Sequence, residues 1–174
     1  MMDLSEGLAR LNSLSAEEAE TELLKCCGST VWARALSARR PFGDAPQLLA
    51  AADEVWWSLS ERDWLEAFAA HPRIGGREPA ARAQHAQAEG WSEQEQAGAR
   101  AAAQATLDEL AAANRAYEEK FGHIFIVCAT GKTAEEMLAL LRARLPNEAD
   151  TELRNAAAEQ GKITKLRLEK LLTT

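Results

Sequence analysis

One short run, Ile124-Phe125-Ile126-Val127-Cys128, carries the only strand-like pattern in this chain of 174 residues. It is continuously apolar and contains β-branched residues, which suits either a buried strand or a buried extended connector. A strand needs a neighbour to satisfy its backbone groups. No second run of this kind exists, which argues against a sheet. The remaining apolar residues recur at helical spacing, so the chain is expected to be all-α.

Local signals punctuate those helices. Ser15-Ala16-Glu17-Glu18 places a Ser cap before an acidic first turn. That helix should run to about Cys26 and stop at Gly28. Trp32, Ala35 and Leu36 share one face of a short helix. Arg40-Pro41-Phe42-Gly43 reads as a turn, and Pro46 fits the first turn of a helix carrying Leu48, Leu49, Ala52, Val55, Trp56 and Leu59. Ser60-Glu61-Arg62-Asp63 is a capping box that opens Trp64 to Ala70. His71-Pro72-Arg73-Ile74-Gly75-Gly76-Arg77-Glu78-Pro79 must be a loop, since it holds two prolines and two glycines. A short Ala/Gln-rich helix should follow to Glu89-Gly90. Ser92 then caps a long Ala-rich helix from Glu93 to about Lys120. Thr133 caps a helix with Met137, Leu138, Leu140 and Leu141. Asp150 or Thr151 starts the last, with Leu153, Ala157, Ile163, Leu166, Leu168 and Leu171. With 47% hydrophobic and 27% charged residues there is material for a real core. One compact domain over residues 1–174, with roughly seven to nine helices, is expected.

Charge narrows the function. Lys and Arg total 20 against 27 Asp and Glu, a net −7. Nucleic acid and anionic membrane surfaces are bound through clustered cations, so neither is an expected partner. A small anion remains accessible to one well-placed Arg. No stretch approaches the ~18 apolar residues of a membrane span, and Met1-Met2-Asp3-Leu4-Ser5-Glu6 lacks the pattern of a signal peptide. Cys26, Cys27 and Cys128 cannot build a disulfide framework, so a reduced compartment, the cytoplasm, is expected.

Metal-ligand spacings are absent, and no metal is expected. Ala129-Thr130-Gly131-Lys132-Thr133 ends like a phosphate loop, but position 126 is Ile where that loop needs Gly. His85 reads as a solvated residue and His123 as the polar edge of a buried run. His71 is different. It ends a helix, a place that favours the imidazolium, and Pro72 restricts its backbone. It is either a plain helix end or a functional side chain held over a rigid scaffold. Ser92-Glu93-Gln94-Glu95-Gln96 is a capping box by type, and its free N–H groups could also face an anion or a polar ring. Arg154 and Arg167 read as solvated helix arginines, although Arg167, between Leu166 and Leu168, could project toward a pocket. The five tryptophans (32, 56, 57, 64 and 91) read as core rather than as stacking platforms.

Taken in order, these pieces resemble the 2-oxo-4-hydroxy-4-carboxy-5-ureidoimidazoline (OHCU) decarboxylases of urate degradation. The resemblance begins at Leu11-Asn12, Cys27-Gly28-Ser29-x-x-Trp32 and Arg40-Pro41-Phe42. It passes through Glu66-Ala67-Phe68-x-x-His71-Pro72-Arg73-Ile74-Gly75, Ser92-x-x-Glu95-Gln96 and Lys120-Phe121-Gly122-x-x-Phe125-Ile126-Val127-Cys128-Ala129. It closes with Lys162-Ile163-x-x-x-Arg167-Leu168. The segment between His71 and Ser92 is longer than in the family pattern, and the sequence holds no transthyretin-like hydrolase stretch of the kind some members carry in fusion.

The resemblance implies an all-helical, cofactor-free decarboxylase producing (S)-allantoin. His71 would be the acid/base and Glu95 its catalytic companion, orienting either His71 or the substrate. The turn of Ser92, Glu93, Gln94, Glu95 and Gln96 would contact the substrate. Pro72 and the backbone of Phe125, Ile126, Val127, Cys128 and Ala129 would line the pocket, and Arg167 would bind by charge. The expected partner is a small ureide, and a C2 homodimer would suit an apolar helix face. Two other readings fit the composition: a helical protein-interaction module, and another cofactor-free lyase or hydrolase acting on a ureido compound.

Overall fold

Five of the helix starts carry a side-chain cap three residues upstream of the N–H it accepts from, and the chain folds as those local signals direct. The structure, a computed structural model, describes residues 3–72 and 93–174, without the side chains of 93–99. Among the described residues there are eight helices and no strand. They are α1 Leu4–Ser13, α2 Ala16–Leu24, α3 Thr30–Ser37, α4 Ala45–Ser58, α5 Glu61–Ala69, α6 Glu93–Phe121, α7 Ala134–Arg144 and α8 Ala149–Leu172. The all-α expectation holds. The proposed Ala/Gln helix, His85, Trp91 and Ser92 lie outside the described residues.

Ser15, Ser60 and Thr133 each close a capping box on α2, α5 and α7, and Ser29 and Asp44 cap α3 and α4. Such caps stabilise a helix start by about 1 kcal/mol each. Three features differ from the sequence-based expectation. α1 is an additional helix, capped by Asp3. It stands because Leu8 and Leu11 are buried along one stripe, at the helical spacing Leu4, Leu8, Leu11 that follows the Asp3 cap. α5 opens at Glu61, directly after its cap, rather than at Trp64. In α8, Leu166 faces outward at 42% exposure, whereas Leu168 is fully buried. The helical stripe passes through Gln160, Thr164 and Leu168 and leaves Leu166 on the other side.

The chain divides into two compact units: the segment up to His71 together with Arg154–Thr174, and the residues between Pro72 and Leu153. In the first, Trp32, Trp56, Phe68, Leu23, Leu36, Leu48 and Leu168 are buried essentially completely. Each such side chain contributes about 1.5–3 kcal/mol of apolar burial. The indoles are not left with orphaned N–H groups: Trp32 donates to the Ala52 carbonyl (3.1 Å), Trp56 to the Ala157 carbonyl (2.9 Å) and Trp64 to the Trp56 carbonyl (2.9 Å). The turn at Arg40-Pro41-Phe42 is held from α1. Asn12 pairs with both backbone groups of Phe42 (2.9 and 3.0 Å), and the Arg40 guanidinium donates to the carbonyls of Leu11 and Leu14 (2.7 and 2.8 Å). The Arg40–Pro41 peptide is cis.

In the second unit α6 packs on α7 around Leu110, Tyr117, Phe125, Val127, Leu138 and Leu141. The run Phe125–Cys128 is buried without pairing as a strand. Of the two readings it left open, the extended connector is the one realised. Side chains replace a sheet neighbour: Arg144 donates to the Ile126 carbonyl (2.7 Å) and Lys132 to the Cys128 carbonyl (2.8 Å). Arg144 also lies over the Phe125 ring, 4.6 Å from its centroid. Its charge is met by Glu152, a fully buried carboxylate that also accepts from Tyr117 (2.5 Å) and Asn147 (3.1 Å). His123 lies against the rings of Tyr117 and Phe121, at the edge of this run as its sequence position indicated.

Candidate active site

His71 is placed by the end of α5. Its N–H donates to the Phe68 carbonyl (3.1 Å), so the last turn of the helix aims the imidazole. α5 is itself fixed against α3. Glu66 accepts from the Thr30 N–H (2.5 Å) and hydroxyl (3.3 Å). Gly28 sits so close to the end of α5 that a Cβ there would collide with the Ala70 side chain. The sequence pairing of Cys27-Gly28-Ser29 with Glu66-Ala67-Phe68-x-x-His71 thus has a packing cause: a glycine lets the chain pass next to the turn that carries the histidine.

The imidazole meets α8. His71 Nε2 is 2.5 Å from Oε1 of Gln160, and Gln160 Nε2 donates to the Thr164 hydroxyl (3.0 Å). Gln160 is fully buried and Thr164 nearly so. Arg167, exposed and one turn further along α8, sends its charge toward His71, Cys26 and Cys27. Among the described residues no carboxylate forms an ion pair with it. Gln160, Thr164 and Arg167 stand at i, i+4 and i+7, one helix face. That spacing was the available signal for Gln160 and Thr164, neither of which the sequence patterns singled out.

Electrostatics shift His71 toward its neutral form. Burial depresses its pKa below the ordinary 6.5; the bond to Gln160 opposes this, and Arg167 reinforces it. The helix C-terminus had suggested the opposite direction. Desolvation outweighs it here, because the ring is partly covered and faces a cation rather than an anion. The two neighbouring thiols are pushed up by burial, Cys26 to about 12 and Cys27 to about 11. They are therefore inert hydrophobic contacts rather than nucleophiles. A neutral imidazole held by an amide, with a guanidinium on the same helix face, can accept a proton from a bound acid and orient an anion.

The other expected residues distribute as follows. Pro72 is exposed and directly follows His71. Phe125, Ile126, Val127 and Cys128 are buried and Ala129 is exposed, on the connector described above. Glu93, Gln94, Glu95 and Gln96 form the first turn of α6, with side chains outside the described residues, as is Ser92. Arg154 is exposed. Among the described residues no group of three or more His, Cys, Asp or Glu is placed to hold a metal ion. A cavity of about 390 Å³ lies between α4 and α8, lined by Leu49, Asp53, Trp56, Gly161, Lys165 and Leu168 among others, and does not include His71.

The described fold and motifs match known proteins over nearly the whole chain. A family model described as OHCU decarboxylase matches residues 12–169. The uric acid degradation bifunctional protein TTL of Arabidopsis thaliana is 42% identical over 162 residues, which cover 92% of this chain and 49% of that protein. The chain therefore spans about half the length of that relative. The 2-oxo-4-hydroxy-4-carboxy-5-ureidoimidazoline decarboxylase of Amia calva is 33% identical over 168 residues, covering 95% of this chain and 94% of that one. A solved structure, the crystal structure of OHCU decarboxylase in the presence of (S)-allantoin, superposes with a TM-score of 0.72 at 38% identity, over 88% of this chain and 98% of that chain. With helices, histidine turn and whole-length likeness in agreement, the chain belongs to the OHCU decarboxylase family.

Proposed function

We propose that this protein is a cofactor-independent carboxy-lyase that converts OHCU to (S)-allantoin, with His71 as its acid/base. The observation that carries this reading is the amide-held imidazole at the end of α5, shifted by burial toward its neutral form, in a chain matched by the family model over residues 12–169. The substrate contains its own electron sink. As the C4–carboxylate bond breaks, CO₂ leaves and its electron pair forms C4=C5. The C5=N π pair moves onto nitrogen, which takes a proton. The C4 hydroxyl then gives up its proton to become the carbonyl, and C5 gains one on a single face, which sets the S configuration. The protein need only position the ureide and move protons, help of the kind worth ~10²–10⁴-fold.

In this reading His71 exchanges the proton of the C4 hydroxyl, Glu95 orients His71 or that hydroxyl, and Arg167 holds carboxylate or carbonyl oxygens through its planar fork. Ser92 and Gln96, with the rest of the turn from Glu93 to Glu95, contact the ureido group. Pro72 and the Phe125–Ala129 backbone line the pocket. The reading also places the enzyme in the cytoplasm and allows a homodimer; among the described residues no helix is long and apolar enough to cross a membrane.

The test adds purified protein to freshly oxidised urate and follows optical activity. Wild type should yield (S)-allantoin rapidly, and His71→Asn, folded by circular dichroism, should not accelerate its appearance. Racemic allantoin at the uncatalysed rate with wild type would overturn the proposal.

A further inference from the structure

The contact between His71 and Gln160 specifies which imidazole nitrogen does the work. A carboxamide has a donor end and an acceptor end. Gln160 spends its donor end on Thr164, 3.0 Å away, so the end facing His71 is the carbonyl oxygen, at 2.5 Å from Nε2. A carbonyl only accepts. The ring nitrogen it faces must therefore carry hydrogen, and in a neutral imidazole the other nitrogen then holds the lone pair. Among the described residues Nδ1 has no hydrogen-bond partner, while Gln160 itself is fully buried and cannot trade its partners for water.

We propose that Gln160 is a positioning residue that locks His71 in the Nε2–H tautomer, so that His71 exchanges its proton with the substrate through Nδ1. The Thr164–Gln160 bond is the scaffold for that lock, and it explains why a fully buried amide stands on the α8 face beside Arg167. The proposal rests on the reading of His71 as the acid/base, but its central statement is testable without turnover.

Histidine-¹⁵N-labelled full-length protein, with His71 assigned by its loss in His71→Asn, is examined by long-range ¹H–¹⁵N correlation. Above its titration His71 should show the pattern of the Nε2–H tautomer. An Nδ1–H pattern, or an even mixture, overturns the proposal. Gln160→Leu, which keeps bulk and removes the acceptor, should lose the tautomer bias and lower kcat about tenfold or more with KM little changed, acid–base help being worth ~10²–10⁴-fold in all. Gln160→Glu restores an acceptor and adds an anion. It should recover activity while moving the His71 titration, and the acid limb of kcat/KM, upward by about one unit or more. A Gln160→Leu enzyme with the wild-type tautomer signature and kcat would also refute the assignment. Should the wild type show the Nε2–H signature and fail to convert OHCU, the decarboxylase reading falls and the tautomer lock stands. An active wild type with an Nδ1–H signature does the reverse: the lock falls and the decarboxylase reading stands.

Discussion

Removing the carboxylate of Glu152 should be among the costliest single changes in the second unit. Its side chain is completely buried, and it accepts from Tyr117 (2.5 Å), Asn147 (3.1 Å) and the Nε of Arg144 (2.6 Å), whose own side chain is only 12% exposed. In Glu152→Ala the guanidinium stays in place, because Nη1 still holds the Ile126 carbonyl (2.7 Å), and becomes a buried charge with no anion. Breaking a buried pair in this way costs about 3–5 kcal/mol. At about 2–4 °C per kcal/mol for a chain of this length, the melting temperature should fall by about 6–20 °C.

The double change Arg144→Met with Glu152→Leu is the informative control. It removes both charges together, so it should be clearly less damaging than the sum of the two single variants. The pH dependence has a definite sign. Burial pulls the Glu152 pKa upward, but the hydrogen bonds from Arg144, Tyr117 and Asn147 prevail and leave it below the ordinary 4.5. A carboxyl depressed on folding stabilises the native state above its unfolded value, and that contribution is lost as pH falls below about 4.5 through the folded value. Glu152→Gln should flatten the acid limb of stability in that window. The assay is thermal and urea unfolding between about pH 3 and 7, the range that spans the carboxyl titration. A Glu152→Ala protein that melts within about 2 °C of wild type, less than 1 kcal/mol on the same scale, with an unchanged acid limb, would show that the network carries no net stability and would refute the reasoning.

Three further outcomes follow from other contacts. Gly28→Ala drives a methyl into Ala70 next to His71; it should cost about 1–3 kcal/mol as overpacking and lower kcat, measured by urea unfolding and turnover, and an unperturbed variant would contradict the close approach. Because burial and Arg167 hold the His71 pKa below 6.5, the acid limb of kcat/KM should lie below 6.5; removing the cation in Arg167→Gln should shift it upward, and a limb above 6.5 in wild type would contradict the burial argument. Native alkylation near neutral pH should leave Cys26 and Cys27 unmodified, since burial raises their pKa values to about 12 and 11; peptide mapping that finds either one labelled within minutes would refute their inert role.

The parts of this protein legible in the amino-acid order are those with short reach. Ser15, Ser60 and Thr133 reveal their helices because a cap and its partner lie three residues apart, and the dihedral restrictions of Pro46 and Pro72 act on adjacent residues. The absence of a second strand-like run was enough to argue for an all-α fold. His71 was visible as a candidate because it ends a helix beside a proline. α1 was not singled out, although Asp3 with Glu6 and the spacing of Leu4, Leu8 and Leu11 carry the same short-range signal. Nor was the protonation state of His71, because the helix end alone suggests a cation.

What decides that state is burial, reinforced by Arg167, and the partner that holds the ring is 89 residues away in sequence: Gln160, indistinguishable from any surface glutamine until folding buries it against the imidazole. Arg144 and Glu152 behave alike, two charged residues of adjacent helices whose pairing depends on both being taken out of water. Order along the chain determined the helices and the histidine turn, because those energies are local. Only the tertiary structure decided which buried polar groups face one another, because desolvation and hydrogen-bond partners exist only once distant segments have met.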